Sequence, residues 1–332
     1  KQGFDEWFGY YHQVHAHFFY PYFLWKNDTK FMLPENEGGR RGRYSHDEIQ
    51  QQALDFIRRN KAEPFFAYVP YTLPHGELVV PDDSEQPYRG TFPKELIKDH
   101  PGYNWPEDGY VTYAGMVSRL DRSVGEVMAL LKELELDDNT VVFFSSDNGA
   151  EGGGDMRKLI SFFDGTGGLR GSKGFWYEGG IRDPLIVRWP ARIKPGTVSD
   201  HVCAFWDFLP TFAEIAGVPS SRLPKNLDGI SIVPTLRGQL QRKHDFLYWE
   251  MPVANGGTTQ AIRLDNWKAV KSRPTTPFEL FNLKDDPKET TNVAEKNPDV
   301  MKKIAVLVVA QHAPERDYPD EEYRPGIKDY VK

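Results

Sequence analysis

The sequence is poor in cysteine, with a single residue, Cys203, in 332 positions. One thiol excludes an internal disulfide framework and leaves the redox compartment open. An excess of positive charge is also missing: 41 basic residues face 48 acidic ones, for a net charge of −7, and no basic stripe appears. A nucleic-acid partner is therefore excluded. No apolar run approaches the roughly 18 residues of a membrane-spanning helix. The strongest, "MKKIAVLVVAQH" (residues 301–312), has a short apolar core and reads as a buried helix. There is no internal repeat and no low-complexity segment. No signal peptide is legible either, but the chain opens on Lys1 rather than methionine, so that absence carries no weight.

What is present is enough apolar material for one large α/β domain or two of ordinary size: 39 % of residues are hydrophobic and 14 % aromatic. "YSHDEIQQQALDFIRRN" (44–60) predicts an amphipathic helix, with Ser45 as N-cap and Glu48 as its capping-box partner. "PFFAYVP" (64–70) predicts a short strand bounded by prolines. From Tyr113 to Leu134, apolar residues at steps of three and four predict a long helix with one buried stripe. The β-branched and aromatic run 141–144 and "PLIVRWP" (184–190) predict buried strands, and "FWDFLPTFAEIAG" (205–217) a helix ending on glycine. This alternation predicts an α/β fold, a mostly parallel or mixed central sheet with helices on both faces. After about residue 245 the rhythm changes to short strands, with "LDNW" (264–267) as a hairpin turn and a closing helix from about 298 to 311. The predicted division is thus 1–244 for the α/β part and 245–332 for a small α+β subdomain.

Three segments carry chemistry. "TVVFFSSDNGAEGGG" (140–154) places Asp147 and Asn148 just past a strand end, where sheets of this type bind ligands. Their hard oxygens suit Ca²⁺ or Mg²⁺ better than Zn²⁺. An ordinary loop with an Asx turn fits the same stretch, and two donors fall short of the roughly 6–8 oxygens that Ca²⁺ takes. "GGLRGSKGFWYEGGIRDPLIVRWP" (167–190) puts Arg170 and Lys173 in a glycine-rich loop able to bend around a small anion, with Glu178 and Arg182 one turn apart and able to pair. "YTLPHGEL" (71–78) presents His75 after another strand end. His12 and His15 fit either a metal cluster or a loop along a pocket wall, and His17 and Tyr20 are candidates to line a substrate pocket.

Taken in order, these segments resemble the formylglycine-dependent sulfatases, the arylsulfatase type of the alkaline-phosphatase-like superfamily. "KQGFDEWFGYYHQVHAHFFYPYFLWKN" (1–27) is similar to the stretch that follows that family's glycine-lysine-tryptophan-histidine motif. "AIRLDNWKAVK" and "FELFNLKDDPKETTNVAEKNPD" are similar to its closing sheet and tail. The resemblance implies that Asp147 and Asn148 are metal ligands, usually to Ca²⁺, and that His75 and Lys173 contact the sulfate and the leaving oxygen. Arg170 then lies beside that lysine as a further substrate contact, with His17 in the pocket, and Glu178 and Arg182 are structural.

The departures are equally specific. The family's nucleophile is a formylglycine made from cysteine in a cysteine-x-proline/alanine-x-arginine motif. Cys203 lies in "HVCAFWDF", outside any such motif, and reads as a buried core cysteine. The family's paired aspartates after the first strand have no counterpart either. The resemblance therefore implies a C-terminal portion of a sulfatase, inactive alone, whose missing N-terminal segment or a second copy would cover an exposed strand edge. Its substrate would be a small-molecule or carbohydrate sulfate ester. Two alternatives stay open: a phosphodiesterase or phosphonate hydrolase of the same superfamily, and a non-catalytic carbohydrate-binding descendant whose tryptophans and tyrosines stack on sugars. Such enzymes are commonly periplasmic or secreted, or lysosomal in eukaryotes.

Overall fold

The computed structural model describes residues 3–98, 103, 105–253 and 256–313. The amphipathic run after Tyr44 forms α1 (Ser45–Arg59), which turns Leu54, Ile57, His46 and Gln50 inward. Its start departs from expectation. Tyr44 is the N-cap, Ser45 is the first helical residue, and no side chain caps the end. Glu48 instead accepts from Arg43 Nε at 2.8 Å, so an ion pair takes the carboxylate that a capping box needed. The long apolar stripe becomes α2 (Gly109–Glu133), started by Asp108 as N-cap, and α3 is Met156–Phe163. Phe19, Leu78, Val79, Ile97, Met116, Met156 and Leu159 form the core around these helices. Each such side chain, withdrawn from water, contributes roughly 1.5–3 kcal/mol. A small antiparallel sheet, β1 (Phe8–Gly9), β2 (Phe23–Lys26) and β3 (Thr29–Met32), completes this first unit, which comprises Lys1–Asp137 and Glu151–Gly165.

The stretch 64–70 is extended but joins no strand pairing among the described residues. Phe66 and Tyr68 are 56 % and 67 % exposed. An apolar run becomes a buried strand only where a neighbour accepts its ladder and a layer covers its face. Neither condition is met there.

The second unit comprises Asp138–Ala150 and Thr166–Arg316. β4 (Val142–Ser145) pairs with β5 (Leu185–Arg188), Val142 opposite Arg188 and Ser145 opposite Leu185. That pairing is antiparallel, as is every strand pairing among the described residues. Helices and sheets are both present, as expected of the fold class, and no parallel pairing occurs among the described residues. β5 presents Ile186 at 61 % exposure, an open apolar position on a strand expected to be buried. Phe143 of β4 packs against Phe208 and Phe212 of α5 (Phe208–Ile215), with ring centroids 5.7 and 5.0 Å apart.

β6 (Leu247–Pro252), β7 (Thr258–Leu264), β8 (Trp267–Lys271) and β9 (Glu279–Asn282) form a four-stranded antiparallel meander. The Asp265–Asn266 turn joins β7 to β8, with Asp265 at φ +55°, which a two-residue hairpin requires. One face of this sheet buries Ile262, Ala269 and Leu280 against Ile304 and Val308 of α6 (Pro298–Gln311). The other buries Ala261, Val270 and Phe281 against Tyr177. α6 is not buried all round: Val306 and Val309 are 65 % and 79 % exposed, because an i, i+4 pair places only one stripe on the sheet.

Candidate functional site

Asp147 and Asn148 sit directly beyond the carboxyl end of β4. Ser145 Oγ donates to the Ser146 carbonyl at 3.1 Å and Ser146 Oγ to the Asn148 carbonyl at 2.9 Å, which holds the turn. Asn148 Nδ2 donates to the Gly149 carbonyl at 3.3 Å, so its Oδ1 is the atom left to accept or ligate. Gly149 is required by packing. A Cβ there would lie 2.0 Å from the Gly179 carbonyl oxygen, well inside contact distance.

A second carboxylate lies nearby. Burial, and then the charge of Asp147, push the Asp183 carboxyl up to about 6. Its Oδ1 is buried without a hydrogen-bond partner. An orphaned carboxylate oxygen beside an exposed aspartate and a carboxamide oxygen is a donor set that fits a hard divalent cation. It is a partial set, since no three His, Cys, Asp or Glu gather into a cation site among the described residues.

The glycine-rich loop is closed on itself and stitched to this turn. Gly179 N–H donates to the Arg170 carbonyl at 2.7 Å, making a ring of residues 170–179 with Lys173 on its perimeter. Lys173 N–H donates to the Ala150 carbonyl at 3.0 Å, and Gly149 N–H to the Gly180 carbonyl at 3.0 Å. The aspartate-asparagine turn and the lysine loop, legible only as separate motifs, are therefore hydrogen-bonded neighbours. Arg170 is placed otherwise. It donates to the Glu289 carbonyl at 2.9 Å, pairs with Glu279 at 3.4 Å and stacks over Tyr177 at 3.9 Å, so its guanidinium is committed to the C-terminal sheet. Glu178 opens α4 (Glu178–Ile181) and does meet Arg182, at 3.8 Å. Its shorter partner is Lys268 of β8, at 2.7 Å, a contact across 90 residues that no local pattern announces.

His17 and His75 belong to the first unit, and their rings stack 4.7 Å apart at an interplanar angle of 8°. Tyr103 Oη hydrogen-bonds to His17 Nδ1, and His75 Nδ1 to the Gly76 carbonyl. Both rings are thus oriented through Nδ1, the arrangement by which a protein fixes an imidazole's tautomer. His12 and His15 have other work. His12 Nδ1 accepts from Val14 N–H at 3.1 Å and caps a single helical turn. His15 is fully buried between Tyr10 and Phe23, and burial pulls it down to about 4. Tyr20 packs on Tyr44 at the edge of the core, its ring 5.1 Å away.

Comparison with known proteins shows the family. The family model described as Sulfatase matches residues 1–218, and one described as N-sulphoglucosamine sulphohydrolase, C-terminal, matches 170–311. The chain belongs to the sulfatase family. It is 30 % identical to an uncharacterized sulfatase of Schizosaccharomyces pombe, over 79 % of this chain and 60 % of that protein. It is 32 % identical to the N-acetylgalactosamine-6-sulfatase of Canis lupus familiaris, over 85 % and 50 %. Among solved structures, that of Ps i-CgsB in complex with k-i-k-neocarrahexaose shares 27 % identity and a TM-score of 0.69, over 87 % of this chain and 57 % of that one. The sulfatase chain thus spans about half the length of the curated relatives it matches.

In this sulfatase chain the sole thiol is not placed for nucleophilic chemistry. Cys203 is half-buried rather than a full core residue. Burial, reinforced by Asp207, pushes its thiol up to about 11, which leaves almost no thiolate near neutrality.

Proposed function

We propose that the chain is the carboxyl-terminal catalytic part of a sulfuric ester hydrolase that cleaves a sulfate group from a carbohydrate. The observation that carries this reading is the pair of backbone hydrogen bonds, Lys173 to Ala150 and Gly149 to Gly180, joining the cation-type turn to the cationic loop. A sulfate ester gathers negative charge on its bridging oxygen as the S–O bond breaks, so catalysis needs positive charge and proton donors fixed in advance. Lys173 supplies a compact ammonium with three donors for the sulfate oxygens. His75 supplies an imidazole able to contact sulfate and protonate the departing alcohol oxygen. Asp147 and Asn148, with Asp183 beside them, would hold a divalent cation, Ca²⁺ or Mg²⁺, whose contribution is to neutralise charge at the sulfate oxygens. His17 would position His75 through their stacked rings. Arg170, held by Glu279, Tyr177 and Glu289, has a supporting role in the loop instead of a sulfate contact.

No residue of the chain lies in a cysteine-x-proline/alanine-x-arginine motif, so the nucleophile is assigned to none of them. A sugar sulfate is favoured as substrate by the k-i-k-neocarrahexaose bound in the structural relative and by the activity in the canine relative's name. No helix of the described residues is long and apolar enough to cross a membrane. An exported or lysosomal location agrees with that reading.

Calorimetric titration of Ca²⁺ into the purified chain, compared with an Asp147→Ala/Asn148→Ala variant, tests the cation assignment. Unchanged affinity in the variant refutes it. Hydrolysis of galactose or N-acetylgalactosamine 6-sulfate by the protein expressed from its whole coding region tests the reaction. There Lys173→Ala should lower kcat/KM by roughly 10²–10³, the loss typical of one preorganised oxyanion donor, and full activity without Lys173 rejects its role.

A further inference from the structure

Lys268 is fully buried on β8, with its Nζ 2.7 Å from Glu178 Oε1 and 3.1 Å from Glu289 Oε1. Glu178 and Glu289 are 4 % and 0 % exposed. Glu289 also accepts the Glu178 N–H through Oε2 at 2.6 Å, so one carboxylate binds both the ammonium and the backbone at the start of α4. Its own backbone adopts the left-handed region at φ +55°, which turns its carbonyl toward Arg170, and Arg170 donates to it at 2.9 Å. One ammonium and two carboxylates are thus sequestered where the ring 170–179 closes: Glu178 adjoins Gly179, and Gly179 bonds back to Arg170.

We propose that Lys268, Glu178 and Glu289 form a buried charge clamp that positions the loop bearing Lys173 from the C-terminal sheet. This rests on the reading of Lys173 as a sulfate contact. All three clamp residues act through the loop and touch no substrate. A buried ion pair adds little net stability over well-packed apolar side chains, because desolvation consumes most of the attraction. What it adds is direction. An ammonium between two carboxylates has one favourable arrangement, whereas an apolar plug tolerates sliding. The loop needs that direction because its ring has glycine at 171, 174 and 179, and its buried anchor, Tyr177, packs on the same sheet at the end of the ring away from Lys173. The clamp also gives the C-terminal sheet a part in the chemistry, by holding the base of the loop on which the cationic side chain is mounted.

The test compares wild type, Lys268→Met and the charge-free triple variant Glu178→Gln/Lys268→Met/Glu289→Gln by amide hydrogen exchange, with thermal unfolding as the check of folding. Lys268→Met leaves two buried carboxylates unopposed and is expected to be the less stable protein. The triple variant carries no charge at the clamp and is expected to melt near wild type. In that folded triple variant, exchange within 170–180 should accelerate at least tenfold while β7 and β8 keep wild-type protection. Wild-type exchange across 170–180 in the folded triple variant overturns the clamp, since a trio serving only stability would be replaced without consequence for the loop. If the triple variant does not fold, Glu289→Gln, which keeps a neutral Lys268–Glu178 pair, serves instead: faster loop exchange at wild-type melting temperature is expected, and unchanged exchange overturns the proposal. The reading of Lys173 is judged separately, by whether Lys173→Ala abolishes binding of inorganic sulfate to the folded chain.

Discussion

Acid should loosen this protein, and His46 is one side chain through which it acts. It stands in the first turn of α1 and is 1 % exposed. Its Nε2 lies 2.8 Å from Ser123 Oγ, and that hydroxyl already donates to the Arg119 carbonyl at 3.1 Å. The ring must therefore donate at Nε2, which puts any added proton on Nδ1, a buried atom with no hydrogen-bond partner. Burial is the main reason the group is pulled from 6.5 down to about 4; the positive charges of Arg119 and Arg122 add to it, and Asp47 opposes it. The unfolded chain takes up this proton near pH 6.5 and the folded chain only near pH 4, so protonation favours unfolding. The stabilisation is whole above about pH 6.5, falls as pH drops, and is fully lost below about pH 4. A gap of about two and a half pH units corresponds to about 3 kcal/mol, of which about 2 kcal/mol is gone by pH 5. Urea unfolding of wild type and His46→Gln between pH 7.5 and 4.5 measures it, because glutamine keeps a donor for Ser123 and cannot titrate. The wild-type curve should fall more steeply by about 2 kcal/mol at pH 5. A residual slope should survive in the variant, since His15 is also pulled down to about 4. Superimposable pH dependences would refute the argument.

Two further perturbations follow from close packing and buried charge. Gly149→Ala drives a methyl to 2.0 Å from the Gly179 carbonyl, a backbone atom that cannot swing aside, and should cost about 3 kcal/mol, the upper end for overpacking, read from the urea midpoint. Asp207 is fully buried, accepts from Ala204 and Ile230 N–H at 2.8 Å each, and holds His244 Nε2 at 2.9 Å. Asp207→Asn replaces one acceptor with a donor and should cost about 3 kcal/mol, within the range for breaking a buried charged network; a loss under about 1 kcal/mol by denaturant titration contradicts this.

Legibility in the sequence followed the range of the interaction. Where a few neighbouring residues decide the outcome, reading was direct: the stripe of α2, the hairpin at Asp265–Asn266 and the span of α6 all appear where periodicity and turn chemistry put them. Where a residue had two available partners, local rules failed. Glu48 fits a capping box on paper and chose Arg43, five residues back, because a charged donor competes well with a backbone amide. Where the outcome depends on a neighbouring strand, composition alone could not settle it. Residues 64–70 have the makeup of a core strand and join no pairing among the described residues, and β4 and β5 pair antiparallel, one of the arrangements that alternation left open in a mostly parallel or mixed sheet.

The candidate site divides along the same line. Asp147, Asn148 and Lys173 were visible as residue types in glycine-rich surroundings. What the sequence could not show is which backbone carries them: the 3.0 Å bonds from Lys173 to Ala150 and from Gly149 to Gly180 span 23 and 31 residues, and at the second the Gly179 carbonyl leaves no room for a side chain on Gly149. Arg170 shows the converse error. As a cation next to a glycine loop it passes for an anion contact, yet a guanidinium over Tyr177 and beside Glu279 has spent its donors on structure. On the proposed reading the two cations differ in assignment: Arg170 is held by Glu279, Tyr177 and the Glu289 carbonyl, and Lys173 is assigned to the sulfate. If Lys173 contacts the sulfate as proposed, its ammonium has to be fixed in advance of the charge that appears during reaction, so the backbone of its loop has to be held in place. Arg170, Glu178, Glu289 and Lys268 meet that need from the C-terminal side, and this gives a physical reason for a small antiparallel sheet to accompany the loop that carries Lys173.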